Sequence, residues 1–220
     1  MGGNLTLTLI LVIMTSIISY QAFSNPEMKA KMLFRPVSIE QGEWYRFFSS
    51  GLIHADFIHL LVNMYVLYVF GTSVESFFTA VLFGPALGKL VYLVFYFSAI
   101  AIASYPSYMR HKGNYAYSAL GASGGTSAIV FAFIVINPWA GLTFVFFPFF
   151  SIPALIMGIG YLWYSSYMDK KGMDNIGHNA HFSGAIYGVF FTIICAFVFN
   201  YEYLQVMATN LLNGPILDSY

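Results

Sequence analysis

The sequence predicts an all-α integral membrane protein, and its composition carries that prediction. Hydrophobic residues make up 59% of the 220 residues and charged residues only 8%, whereas about a quarter of a soluble domain is charged. The mean hydropathy is +0.71, and residues 1–26, 113–168 and 175–201 carry no charge at all. Continuous apolar runs favour membrane-spanning helices, because the strands of a membrane barrel give short alternating segments.

Six spanning helices of about 20 residues each account for the apolar runs. We expect them near residues 5–23, 52–74, 86–105, 123–137, 147–164 and 180–199, in a single domain that covers residues 1–220. A long polar first loop separates the first two helices. Pro138 ends the fourth helix, and Pro153 is expected either to kink the fifth helix or to delay its start. The fourth run is short, so its N-terminus should lie below the membrane surface.

The sequence also limits which partners and cofactors are expected. The formal net charge is +0, so nothing favours nucleic acid as a partner. The single cysteine, Cys195, lies in an apolar run and is expected to be an inert buried thiol. A metal site at His178 and His181 is the weaker interpretation of these histidines, because no H-E-x-x-H motif and no carboxylate accompany them in the sixth helix. We therefore expect no metal and no other cofactor.

The segment GASGG, residues 121–125, places Ser123 at the start of the short fourth helix. Glycines permit positive φ and close approach, and the free N–H groups of a first helical turn attract negative charge. Ser123 is therefore a candidate nucleophile beside a backbone oxyanion site. The alternative is a serine N-cap on a helix packed through small residues. The segment also matches G-x-S-x-G, but that motif requires a preceding strand in a soluble sheet.

His181 opens the sixth helix on the face that also carries Gly184 and Gly188. Together with Ala180, these glycines form a small-xxx-small seam that lets another helix pack closely. If the fourth and sixth helices pack together, His181 becomes a base for Ser123, which requires a separation of about 2.6–3.2 Å. The alternative is a structural histidine that bonds to a neighbouring carbonyl.

The segment HADFIHLLVNM in the second helix supplies further polar groups. His59 and Asn63 are four residues apart and share one helical face, so both can donate hydrogen bonds to one developing oxyanion. The face of His54 is turned by about 140° from that of His59. We expect His54 to hold a loop in place.

Together these motifs resemble those of the rhomboid family of intramembrane serine proteases. The resemblance covers roughly residues 43–188 and rests on HADFIHLLVNM, GASG and AHFSG in this order. EWYRFF resembles the Trp-Arg element of the family's long first loop, and Glu75 after the second helix fits as well. Each motif alone is weak, whereas their order, their spacing and the six-helix layout are specific together. The resemblance thus implies a six-helix, rhomboid-like bundle.

The resemblance implies a Ser–His dyad without a third acid, in which Ser123 is the nucleophile and His181 the general base. His59, Asn63 and the backbone N–H of Ser123 would form the oxyanion hole. Four further residues are expected to support the site: Gly121, Gly124, His54 and Gly184.

Two positions depart from the family pattern. Many members carry an aromatic residue four positions after the serine, where it packs on the catalytic histidine, and this chain has Ser127 there. Either Phe182 or an aromatic residue of another helix must then orient His181. In the Trp-Arg element, Tyr45 separates the tryptophan from the arginine. Neither departure removes a catalytic group.

The implied function is intramembrane endopeptidase activity against membrane proteins, cleaved in or near a transmembrane segment. A catalytically inactive member that binds or escorts membrane proteins is the alternative, although inactive relatives typically lack the serine or the histidine. A small transporter would show inverted repeats, and we find none in the sequence. The expected partners are the lipid bilayer and transmembrane substrates, and the sequence leaves the oligomeric state open.

A cell (inner) membrane is the expected location of this multi-pass chain. The loop charges and the family's usual topology predict opposite orientations in that membrane. The loops near residues 24–50, 105–120 and 167–179 carry most of the basic residues, which the positive-inside rule places in the cytoplasm. The usual family topology places the same loops outside. We adopt the family orientation, because the charge rule is statistical.

Overall fold

The computed structural model describes residues 5–144, 147–171 and 177–214, so the loop predicted at 167–179 lies partly outside the described residues. This part of the chain is mostly helical, with one two-stranded antiparallel hairpin. The helices are α1 (Leu7–Ser24), α2 (Pro26–Met32), α3 (Pro36–Glu40), α4 (Arg46–Ser49), α5 (Phe57–Phe77), α6 (Pro85–Arg110), α7 (Ser123–Ile136), α8 (Ala154–Lys171), α9 (His178–Phe199) and α10 (Tyr201–Asn213). The strands are β1 (Gly141–Phe144) and β2 (Phe147–Pro153).

Four of the described helices are long and apolar enough to cross a membrane. They are Leu7–Ser24, Phe57–Leu82, Pro85–Arg110 and Asn179–Phe199, the second being α5 together with the π-helical turn Phe78–Leu82 that continues it. The shorter apolar helix α7 contacts α5, α6, α8 and α9, and ten of its 14 residues are buried. The other helices therefore enclose α7, and its first residue opens the candidate site.

The first loop is built from short helices and held by a buried arginine. Arg46 donates from Nη1 to the carbonyl oxygens of Ala30 (2.9 Å) and Leu33 (2.7 Å), which lie at the C-terminal end of α2, where carbonyl groups lack intrahelical partners. Phe34 pairs by backbone hydrogen bonds with Ala119, just before the GASGG segment. The loop is thereby fixed beside the start of α7.

A buried carboxylate links the first membrane helix to the second. Glu75 of α5 accepts the backbone N–H groups of Leu7 (2.8 Å) and Thr8 (2.7 Å), together with the Thr8 hydroxyl. These N–H groups have no partner inside α1, and the helix dipole favours a negative charge at that end. Glu75 therefore acts as an N-terminal cap supplied by another helix.

Several helix bounds differ from those expected from the sequence. Helix continues to Leu82 and to Arg110 rather than ending near residues 74 and 105, α8 ends at Lys171 rather than near 164, and two helices start late. Helix α5 begins at Phe57 rather than near residue 52, because the Asp56 carboxylate caps it by accepting the His59 N–H at 2.8 Å. Helix α8 begins at Ala154 rather than near residue 147, because β2 pairs with β1 up to Pro153. A short apolar run fits a strand and a helix equally well, so hydropathy alone did not separate them.

Helix α10 was not expected from the sequence, where the residues after Tyr201 form a short mixed tail. The Asn200 side chain caps it by accepting the Tyr203 N–H at 3.0 Å. Trp139 donates to the carbonyl oxygen of Asn210 at 2.8 Å, which attaches α10 to the segment after α7.

Candidate active site

The N-terminal halves of α7 and α9 pack with their backbones in contact. A Cβ atom added at Gly184 would overlap the carbonyl oxygen of Gly124, and one added at Gly188 would overlap that of Ala128. Side chains at these positions would force the helices apart, so the small-residue seam sets their separation.

This seam brings the starts of the two helices together. Ser123 directly precedes Gly124, and His181 lies one turn before Gly184. A Cβ atom at Gly124 would lie 3.6 Å from the carbonyl oxygen of Ala180, the residue next to His181. Both Ser123 and His181 are half-buried, so they are positioned by the fold and still accessible.

The turn before Ser123 depends on Gly121. Its φ is +116°, a backbone conformation that side chains other than glycine's rarely adopt. A Cβ atom there would lie 2.7 Å from Cε1 and 2.9 Å from Nε2 of His59, and the Gly121 N–H donates to the Ser50 carbonyl at 2.9 Å. The absence of a side chain thus lets the His59 ring approach the loop that carries Ser123.

His54 connects three segments from a fully buried position. Its Nε2 accepts the N–H of Ala122 at 3.3 Å, and its Nδ1 lies 3.2 Å from Oγ of Ser19 in α1. Since Nε2 accepts, a neutral ring carries its proton on Nδ1 and donates it to Ser19. Burial lowers the pKa of His54 from 6.5 to about 3; the adjacent His59 lowers it further, whereas Asp56 opposes the shift.

His59 and Asn63 lie on the same side of α5, toward the start of α7. The Ala55 N–H approaches Nδ1 of His59 at 3.4 Å, an arrangement that leaves the proton of a neutral ring on Nε2, the nitrogen near Gly121. Asn63 is buried; its Nδ2 donates to the His59 carbonyl at 2.9 Å, and its Oδ1 accepts from the Thr126 hydroxyl at 3.1 Å. The amide nitrogen keeps a second N–H for another acceptor.

An aromatic ring from α8 covers His181. The rings of Tyr161 and His181 are stacked, with centroids 6.1 Å apart and planes inclined by 24°. The Tyr161 hydroxyl lies 3.2 Å from Oγ of Ser127. An aromatic ring on His181 thus comes from α8, and its hydroxyl contacts Ser127, the serine that departs from the family pattern.

Sequence reasoning missed two residues of this site, Thr126 and Tyr161. Thr126 lies one helical turn after Ser123, so helical spacing could have placed it beside the serine. Its hydrogen bond to Asn63 of another helix could not be deduced from spacing. Tyr161 lies in a different helix, and no motif marks it. Among the described residues, no group of three or more His, Cys, Asp or Glu side chains could hold a metal ion.

Comparison with known proteins decides the family. A model of the Rhomboid domain matches residues 41–197, which is more than half of the chain. The chain belongs to the rhomboid family. This match includes every motif on which the resemblance rests, from the Trp-Arg element to AHFSG. Rhomboid membership and the four long apolar helices make the protein an integral membrane protein.

The similarity to individual rhomboids is moderate. The chain is 27% identical over 180 residues to "RHOMBOID-like protein 12, mitochondrial" of Arabidopsis thaliana, covering 76% of this chain and 51% of that protein. It is 29% identical over 153 residues to "Presenilin-associated rhomboid-like protein, mitochondrial" of Homo sapiens, covering 64% and 35%. For "Putative rhomboid protease YdcA" of Bacillus subtilis the identity is 28% over 102 residues, covering 46% of each chain. This rhomboid thus spans between about a third and a half of these relatives.

Proposed function

We propose that this rhomboid is a serine endopeptidase that cleaves transmembrane proteins in or near their membrane-spanning segment. The observation that carries the proposal is the backbone contact between Gly124 and Gly184, since it brings the helix starts with Ser123 and His181 together.

Helices α7 and α8 would join the four longer helices to complete six membrane helices. Two of the named relatives are described as mitochondrial, so the cell inner membrane remains a prediction.

The proposed reaction proceeds through an acyl-enzyme. Oγ of Ser123 attacks the scissile carbonyl carbon while His181 accepts the hydroxyl proton. The tetrahedral intermediate collapses, the peptide C–N bond breaks, and His181 passes the proton to the leaving amine. A water molecule, deprotonated by His181, then attacks the acyl-enzyme and releases the new carboxyl group together with Ser123.

The oxyanion would be held by groups at the start of α7 and on α5. The backbone N–H of Ser123 belongs to the first turn of α7, where intrahelical partners are missing. The protonated Nε2 of His59 and the second amide N–H of Asn63 supply side-chain donors. The Thr126 hydroxyl has one proton to donate and lies 3.1 Å from both Oδ1 of Asn63 and the Ser123 carbonyl oxygen. The amide oxygen of Asn63 faces Thr126, so the amide nitrogen is turned away from it. The geometry therefore supports two donor side chains beside the nucleophile.

The test uses the purified full chain with a fluorophosphonate probe and a single-span reporter substrate. Ser123→Ala should abolish labelling, and both Ser123→Ala and His181→Ala should lower cleavage by at least about 10³-fold. Asn63→Ala should lower it by about 10²-fold, as expected for one oxyanion donor. Matched controls are Ser24→Ala and His111→Ala, both outside the site.

The outcome also separates the protease from a non-catalytic membrane-protein binder. A binder would retain substrate association while showing no probe labelling that depends on Ser123. Cleavage by Ser123→Ala within a few-fold of the unmodified protein would refute the assignment of the nucleophile.

A further inference from the structure

Three helices meet at the candidate base through one serine and one tyrosine. Ser127 is buried in α7, one turn after Ser123. Its hydroxyl lies 3.2 Å from that of Tyr161 in α8, and the Tyr161 ring stacks on His181 in α9. The nucleophile's helix is therefore connected to the base's ring by a route that passes through α8.

We propose that Tyr161 is the positioning residue for His181 and that Ser127 fixes Tyr161 in that position. This inference rests on the proposed function. An imidazole that must face Ser123 needs its ring plane held, and an offset-stacked aromatic ring within 4.5–7 Å restricts that plane. The 6.1 Å separation and the 24° inclination fall in this range.

Ser127 takes part through its hydroxyl rather than through a ring. A serine side chain has no aromatic face, but its hydroxyl can exchange a hydrogen bond with a tyrosine that reaches over from a neighbouring helix. The position that is aromatic in many family members thus holds an anchor here, and α8 supplies the ring. Small errors in the placement of a catalytic group cost as much as about 10²-fold in rate, so the anchor should affect turnover.

The first experiment compares Tyr161→Leu with Trp163→Leu, an aromatic substitution two residues away on the same helix. Trp163 is exposed and stacks on Tyr167 rather than on His181. Tyr161→Leu should lower kcat by about 10- to 100-fold and leave KM within about threefold, and fluorophosphonate labelling should slow in parallel. Trp163→Leu should stay within about threefold of the unmodified protein in both constants.

The second experiment isolates the hydroxyl contact. Tyr161→Phe keeps the ring, so it should recover most of the kcat lost in Tyr161→Leu and remain only a few-fold low. Ser127→Ala should cause a similar few-fold loss, and the double variant should lose no more than either single variant, because all three lack the same bond. This cycle decides the anchoring role of Ser127 even if Tyr161→Leu does not fold, and a kcat equal to that of the unmodified protein in both single variants would overturn it.

Distinct outcomes overturn distinct claims. The positioning role would be overturned if Tyr161→Leu raised KM and left kcat unchanged. It would also be overturned if the fall in kcat were no larger in Tyr161→Leu than in Trp163→Leu. Additive losses in the Ser127→Ala and Tyr161→Phe cycle would overturn the anchor. Absence of Ser123-dependent labelling in the unmodified protein would instead overturn the proposed function, and this inference with it.

Discussion

Helix α7 is held differently on its two sides. Against α9, the main chain itself is in contact, since Gly184 and Gly188 lie directly on carbonyl oxygens of α7. Against α8, the contacts are made by side chains, such as the hydroxyl pair of Ser127 and Tyr161. The relative position of Ser123 and His181 therefore depends on backbone geometry, whereas the ring that covers His181 depends on side-chain packing.

The largest expected effect comes from adding one methyl group on the backbone side. Gly184→Ala places a Cβ atom on the Gly124 carbonyl oxygen, and a backbone atom cannot rotate away. We expect the free energy of unfolding in detergent to fall by about 3 kcal/mol, at the upper end of the cost of overpacking. Thermal or denaturant unfolding measures it. A melting temperature equal to that of the unmodified protein would show that the seam is not held by backbone contact.

An intermediate effect on the free energy of unfolding is expected from pH. It acts through His54, which contacts Ala122 just before the start of α7. Because the folded-state pKa is lowered from 6.5 to about 3, the unfolded chain binds a proton between these values and the folded chain does not. The stability contributed by His54 is thus present above about pH 6.5 and is lost as the pH falls below it, by up to about 1.4 kcal/mol per pH unit and so by at most about 2 kcal/mol between pH 6.5 and 5.

The control for this pH dependence is His54→Gln, which has no proton to gain. Its stability at neutral pH should be lower, since the Ser19 and Ala122 contacts are disturbed. Its loss of stability between pH 6.5 and 5 should be smaller than that of the unmodified protein. Equal slopes in the two proteins would assign the acid sensitivity to other groups.

The smallest effects are expected on α8. A Cβ atom at Gly158 would meet the end of the Ile134 side chain, 2.7 Å from Cδ1, and that end can move. Gly158→Ala should therefore cost only about 1 kcal/mol. Gly160 has no atom within 4 Å of an added Cβ, so Gly160→Ala should be neutral or more stable by about 0.5–1 kcal/mol. If Gly158→Ala lowered the free energy of unfolding as much as Gly184→Ala does, the α8 and α9 sides of α7 would not differ in the way described.

The sequence located the parts of the fold that hydropathy determines. The long apolar runs correspond to α1, α5, α6 and α9, because a helix that crosses a bilayer requires continuous apolar length, and the shorter run at 123–137 corresponds to α7. The segment between α7 and α8 could not be assigned in the same way, since an apolar strand and an apolar helix share one composition. Helix α10 depends on the Asn200 cap and on contacts such as that of Trp139, neither of which gives a hydropathy signal.

The candidate site also has a part that could be predicted from the sequence and a part that could not. The shared face of His59 and Asn63, and that of His181 and Gly184, follow from helical periodicity within one motif. Ser127 was recognised as a departure, but its partner Tyr161 was not, because their contact joins residues 34 positions apart. Motif analysis finds residues within one short segment more readily than the residues of other helices that contact them.

The positive φ of Gly121, and the His59 ring that lies where a Cβ atom would be, affect how mutational data on this protein should be read. Gly121 carries no reactive group, yet an added methyl group would both strain the turn before Ser123 and displace the His59 ring. In a saturation scan scored by proteolysis, this position should be as intolerant as Ser123, the proposed nucleophile. Intolerance alone will therefore not identify the chemical groups of this site.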